Sequence, residues 1–136
     1  MRCFLEKEFD FDPMDPLKRL LITDIIVQNP ETGKKVSLKC LWDTGASGTC
    51  ITPAVVRELA LKPISAVVAQ SANSSDRLGM YLVNIDLGPT AFNGLAVAGL
   101  VGIPGQVADV FLGMDVIGRG EMHLTHRKGK LVLHWE

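Results

Sequence analysis

Val36-Ser37-Leu38-Lys39-Cys40-Leu41-Trp42-Asp43-Thr44-Gly45-Ala46-Ser47 is the stretch that decides the fold. Its first seven residues alternate. Val36, Leu38, Cys40 and Trp42 fall on one face, while Lys35, Ser37, Lys39 and Leu41 fall on the other, the period of two that marks a strand. This strand runs straight into Asp43-Thr44-Gly45. A strand that buries the base of a loop holds the loop's carboxylate rigidly rather than letting it swing in solvent. Gly45 leaves the backbone close to that carboxylate with no side chain in the way, and the Thr44 hydroxyl can lock the turn.

One carboxylate alone does little to a peptide bond. Two at contact distance cannot both ionise, so they share one proton. One then acts as general base on a water while the other, protonated, polarises the scissile carbonyl. The chain has one Asp-Thr-Gly and no second Asp-Thr-Gly or Asp-Ser-Gly; Asp86-Leu87-Gly88 has the wrong middle residue. A working pair therefore has to come from two copies of the chain meeting at a two-fold axis. The Asp-Thr-Gly-Ala string is short, and a turn after any strand can use Asp and Gly. Its context, with a strand before it and a helix after it, is what gives it weight.

Upstream, Leu20 to Val27 is dense in β-branched residues and reads as a strand, followed by turn chemistry at Asn29-Pro30-Glu31-Thr32-Gly33. Residues 1–18 read as a leader, because Asp12-Pro13 and Asp15-Pro16 each push the residue before proline out of the helical region and argue against a regular element. Downstream, Cys50-Ile51 is a short apolar piece. Thr52-Pro53 opens the one convincing helix, with threonine as N-cap and proline at the first position, running to about Ala60. Beyond it, Val67–Gln70 and Met80–Leu87 read as strands flanking the polar tip Ser71-Ala72-Asn73-Ser74-Ser75-Asp76-Arg77. Leu95–Val101 and Val107–Leu112 read as further strands, and Glu121–His126 with Lys130–Trp135 as a closing hairpin. Many short strands, frequent turns and one helix predict an all-β barrel or sandwich.

With 136 residues, 47% apolar and 21% charged, the chain suits one globular domain with a real core. A net charge of −1 without a basic block gives no reason to expect nucleic acid or an anionic membrane surface as partner. Three cysteines without C-x-x-C spacing predict no disulfide framework or zinc site and suit a reducing compartment. No apolar signal core follows Met1, and the run Leu95 to Ile103 is too short to cross a bilayer. A soluble cytoplasmic protein without membrane insertion is the expectation; a segment of a larger or membrane-tethered parent fits the same sequence.

Two stretches together resemble the retropepsins, the single-domain aspartic peptidases of retroviruses, and more closely their cellular and bacterial relatives. The first is Leu41-Trp42-Asp43-Thr44-Gly45-Ala46-Ser47, which is similar to the family's apolar-apolar-Asp-Thr/Ser-Gly-Ala signature. The second is Val110-Phe111-Leu112-Gly113-Met114-Asp115, which is similar to its hydrophobic-hydrophobic-Gly element. The resemblance covers roughly Leu20 to Trp135. It implies a domain over residues 19–136, with Asp43 catalytic and Thr44 bonding across a dimer axis. It implies that Gly45 and Ala46 complete the active loop, and that Phe111, Leu112 and Gly113 support it from beneath. Ser47 and a flap containing Ser71, Ala72, Asn73, Ser74, Ser75 and Gly79 would meet an extended peptide or protein substrate. Two positions depart from the viral pattern. Ser47 stands where those members carry an acidic residue, and the flap tip lacks their run of glycines, having only Gly79 at its far side.

The resemblance thus implies a closed, barrel-like acid-protease subunit with one short helix, a homodimer, and no metal or organic cofactor. An aspartic endopeptidase, most active at acidic to near-neutral pH because one proton must stay on the pair, is the first functional expectation. A non-catalytic dimeric module that binds peptides through the same fold is the second. Other residues have simpler readings. His123 and His126 fall on opposite faces of a strand and read as solvated rather than as a metal site. Cys50 reads as a small core residue, with a redox-sensitive thiol the alternative. Trp42 reads as core beneath the loop, and Asp115 as a structural hydrogen-bond partner or helix cap.

Overall fold

The computed structural model describes residues 4–70, 75–100, 107–127 and 129–136. Its strands are β1 (Leu5–Asp10), β2 (Ile22–Gln28), β3 (Lys35–Trp42), β4 (Cys50–Ile51), β5 (Ser65–Gln70), β6 (Ser75–Asp86), β7 (Ala91–Gly99), β8 (Val110–Leu112), β9 (Met122–Arg127) and β10 (Lys130–Trp135). Two short helices join them, α1 (Pro53–Glu58) and α2 (Met114–Ile117), and a 3₁₀ turn spans Pro16–Arg19.

Six strands close on themselves in the order β2-β3-β8-β4-β7-β6, because β6 pairs back onto β2 through Ile26↔Asp86, Val27↔Ile85 and Gln28↔Asn84. Strand β5 hangs from the outer edge of β6. Closure removes the open edges that an isolated sheet would expose. The interior is filled by Val27, Ile51, Val83, Ile85, Val97 and Val110, each with 0% of its surface exposed. Burying one such side chain stabilises the fold by about 1.5–3 kcal/mol, so the barrel wall is specified chiefly by which face of each strand carries these residues.

The ring bends where β6 and β7 slip register between Val83 and Ile85. Leu95 faces Val83 and Phe92 faces Ile85, so Asn93 and Gly94 are set against Asn84 alone. Gly94 has φ 69°, and its N–H donates to Asn84 Oδ1 at 2.9 Å. This is a β-bulge, and the positive φ explains the glycine.

A second, three-stranded sheet in the order β1-β10-β9 packs against the barrel. Its inner face presents Leu133 and Trp135, both buried. The Trp135 ring meets Trp42 at 5.9 Å and Phe92 at 6.1 Å, edge to face, and its Nε1–H donates to the Ile117 carbonyl at 3.0 Å. Gly120 lies so close beneath that a Cβ there would fall 2.7 Å from the Trp135 ring.

Several elements differ from the sequence-based expectation. Residues 5–10 form a regular strand paired with β10 through six residue pairs, from Leu5↔Trp135 to Asp10↔Lys130. The two Asp-Pro steps act only after it, at the turn that leads to β2. Helix α1 ends at Glu58, and Thr52 stands at its N-cap without a capping bond; its hydroxyl donates to Asp109 Oδ1 at 3.0 Å instead. Strand β6 starts at Ser75, well before Met80, because backbone pairing with β5 carries the ladder through polar residues. Strand β7 starts at Ala91, before the bulge, rather than at Leu95, and β8 starts only at Val110. A second helix, α2, joins the one expected.

Candidate active site

The loop 43–49 leaves β3, passes around β8 and re-enters the barrel as β4. Strand β8 lies between the two, parallel to β3 (Leu41↔Phe111, Trp42↔Leu112) and antiparallel to β4 (Cys50↔Phe111, Ile51↔Val110). The Phe111-Leu112-Gly113 stretch therefore sits directly under the Asp43 loop. Trp42 is buried, and its Nε1–H donates to Thr23 Oγ1 at 2.9 Å, which satisfies the indole while it anchors the base of the loop.

Asp43 is half-buried. Its N–H donates to the Leu112 carbonyl at 2.8 Å, and its Oδ1 accepts the Gly45 N–H at 3.0 Å. A Cβ on residue 45 would lie 3.3 Å from that same oxygen, which is why glycine suits the position. The Ala46 N–H closes a turn on the Asp43 carbonyl at 3.1 Å. Thr44, Gly45 and Ser47 are exposed and Ala46 is half-buried, so the loop crest faces outward with the carboxylate at its base.

The far side of the loop is bonded to α2. The Ala46 carbonyl accepts the Met114 N–H at 2.8 Å and the Ser47 carbonyl accepts the Asp115 N–H at 3.1 Å. Gly113 is buried between them; a Cβ there would stand 2.6 Å from the Gly48 carbonyl carbon and oxygen and 3.0 Å from the Ala46 oxygen. No other residue permits this approach of two backbones. Phe111 is half-buried beside Leu41 and Cys50, and Leu112 is fully buried.

Asp115 turns its carboxylate inward: Oδ1 accepts the Thr49 hydroxyl at 2.7 Å and Oδ2 accepts the Thr49 N–H at 3.1 Å. It is thus a structural hydrogen-bond acceptor. Thr49, which no motif in the sequence singles out, is 2% exposed and also accepts the Gly113 N–H at 3.1 Å. Only the threonine type and its place six residues after Asp43 could signal it. Cys50 is half-buried, its thiol held above the ordinary range by burial first and then by the charges of Asp115 and Asp43.

The flap residues are only partly placed. Ser71, Ala72, Asn73 and Ser74 lie outside the described residues. Ser75 pairs with Gln70 at the start of β6, and Gly79 pairs with Ala66 on the β5–β6 hairpin. The Tyr81 ring lies over Gly79, its hydroxyl oxygen 2.9 Å from where a Cβ would be.

The family of gag-polyprotein putative aspartyl proteases matches residues 32–119, a span that holds both the Asp43 loop and the Gly113 element. The chain belongs to that family. Among solved structures it is similar to a retropepsin-like aspartic protease from Rickettsia conorii, at 17% identity and a TM-score of 0.63, over 97% of this chain and 92% of that one. It is also similar to the simian foamy virus protease, at 16% identity and a TM-score of 0.50, over 72% of this chain and 92% of that one. A retroviral protease-like domain from Leishmania major shares the fold at 14% identity and a TM-score of 0.51, over 76% of this chain and 79% of that one. No curated protein matches the chain in sequence. The subunit fold is therefore that of the retropepsin-like aspartic proteases. Among the described residues, no helix is long and apolar enough to cross a membrane.

Proposed function

We propose that the chain is an aspartic endopeptidase that works as a homodimer, with the Asp43 carboxylate of each subunit forming one half of the catalytic pair. The observation that carries this reading is the way Asp43 is held. Its backbone is bonded to β8, its carboxylate to the Gly45 N–H, and its loop to the first turn of α2. Such constraint suits a group that must meet a second carboxylate at contact distance without reorganising. One carboxylate of the pair takes a proton from water, which attacks the scissile carbonyl; the protonated partner donates to the developing oxyanion. Thr44 bonds across the two-fold axis, Gly45, Ala46 and Ser47 border an extended peptide, and a flap that includes Ser71, Ala72, Asn73, Ser74, Ser75 and Gly79 covers it. In this reading the catalytic domain spans 19–136, and β1 of the preceding segment is paired onto its last strand, β10.

A peptide library incubated with the purified chain tests the proposal. Cleavage is expected from the wild type and not from Asp43→Asn. Cleavage that persists in Asp43→Asn would refute the site, and a chain that stays monomeric at high concentration while still cleaving would refute the shared pair. Peptide binding without cleavage would favour a non-catalytic module on the same fold.

A further inference from the structure

Helix α2 is only four residues long and has no capping side chain of its own. The first N–H groups of any helix lack partners within the helix and must find them elsewhere. Here the catalytic loop supplies them: Gly113 N–H goes to Thr49 Oγ1, Met114 N–H to the Ala46 carbonyl, and Asp115 N–H to the Ser47 carbonyl. The Asp115 carboxylate returns the contact by accepting both Thr49 groups, N–H at 3.1 Å and O–H at 2.7 Å. The loop caps the helix and the helix anchors the loop.

Thr49 is the hub. A hydroxyl has one proton to give and lone pairs to receive. The Thr49 proton goes to Asp115 Oδ1, which leaves the oxygen free for the Gly113 N–H. The chain from Gly113 through Thr49 to Asp115 is therefore fully paired and ends on a charged acceptor, the arrangement in which hydrogen bonds are shortest and strongest. A valine at 49 keeps the shape and loses every side-chain bond. A serine keeps the bonds.

We infer that Thr49 and Asp115 are positioning residues for the proposed peptidase: clamped to Gly113 and to each other, they fix the loop that carries Asp43. The inference rests on the reading of Asp43 given above. Thr49 is buried, so it cannot touch a peptide directly. Its influence reaches Asp43 through the short span from Ala46 to Thr49, and from Ala46 N–H to the Asp43 carbonyl. Loss of the clamp should lower the rate of the chemical step and leave substrate affinity nearly untouched, because displacement of a catalytic group by about 1 Å costs on the order of 100-fold.

The test measures kcat, KM and the thermal midpoint for the wild type, Thr49→Val, Thr49→Ser and Asp115→Asn on a peptide the wild type cleaves. Thr49→Val should lose about 100-fold in kcat with KM within about threefold. Thr49→Ser should stay within about threefold of the wild type, and Asp115→Asn, with one acceptor oxygen where two are used, should lose on the order of 10-fold. A folded Thr49→Val with wild-type kcat, or one that changes KM alone, overturns the inference. If Thr49→Val does not fold, a wild-type kcat in Asp115→Asn overturns it equally. A wild type that cleaves no peptide removes the proposed function and the clamp with it; normal cleavage by all four chains removes the clamp alone.

Discussion

The Asp43 loop and the outer face of the terminal sheet are both crowded with polar groups, yet they are held in opposite ways. Beneath the Asp43 loop, Thr49, Gly113 and Asp115 are bonded to one another around a buried hydroxyl, and a substitution at Thr49 leaves a shielded donor or acceptor unmatched. On the terminal sheet, Glu6, Glu8 and Asp10 of β1 stand across from His134, Val132 and Lys130 of β10. There Glu6 lies 3.6 Å from His134, Glu8 lies 4.0 Å from Lys130, and Asp10 bonds Lys130, with every partner open to water to some degree. Exposed pairs of that kind contribute little, because water and salt screen them and two long side chains must be ordered. A count of polar contacts would rank the two regions alike; shielding separates them.

The largest effect is expected at Gly113. An alanine there puts its Cβ 2.6 Å from the Gly48 backbone, which cannot move without carrying the loop, so Gly113→Ala should cost about 4 kcal/mol or more in a urea denaturation. At Gly48 an added Cβ would meet nothing within 4 Å, so Gly48→Ala should stay within about 0.5 kcal/mol. Equal losses at the two positions would break the contrast between the packed side of the loop and its open side. The terminal sheet is expected to be anchored by its inner face alone: Leu133→Ala should cost about 3 kcal/mol through the cavity it leaves.

The cysteines give a finer probe. Cys40, opposite Val110 in the barrel wall, is buried and its thiol is pushed up to about 12. In the native protein it should resist alkylation at pH 8, while the half-buried Cys50 reacts before it. The folded state holds the Cys40 proton more tightly than the unfolded one, so this contribution is complete below the ordinary thiol range and fades as pH rises from about 9 toward 12. Native-state labelling of Cys40 as fast as Cys50 would contradict its burial. The smallest effect is expected on the outer face. Lys130 lowers the Asp10 carboxyl below its ordinary value, a contribution present above the usual carboxylate range and lost as acid titrates Asp10. Both groups are solvated, so Lys130→Ala should leave the urea midpoint unchanged at physiological salt.

What can be read in the sequence is local. The alternation into Asp43, the apolar-Gly pattern at Gly113 and the Thr52-Pro53 helix start each lie within a few consecutive residues, and each stands where it is expected. What cannot be read depends on distant partners. Thr49 and Asp115 meet only because β8 slots between β3 and β4, and nothing near Thr49 in the chain announces it. Helix α2 is too short to show a period and exists because the loop caps it. Strand β1 is obscured by the Asp-Pro steps beyond it, and by acidic residues that pair across to β10 instead of facing a core. The bulge at Asn93-Gly94 is set by Asn84 on the neighbouring strand, and the start of β7 ahead of Leu95 goes unread with it. The flap tip at Ser71–Ser74 lies outside the described residues, so its expected role stands as part of the proposal.

In the proposed peptidase a rigid half-site becomes an active site when two subunits bring their Asp43 residues together. The most direct measurement is the separation of the two Asp43 carboxylates in an experimental structure of the dimer. Carboxylate oxygens at hydrogen-bonding distance, about 3 Å apart, are the result expected here. A dimer that holds the two Asp43 side chains far apart, with each loop intact, would contradict it.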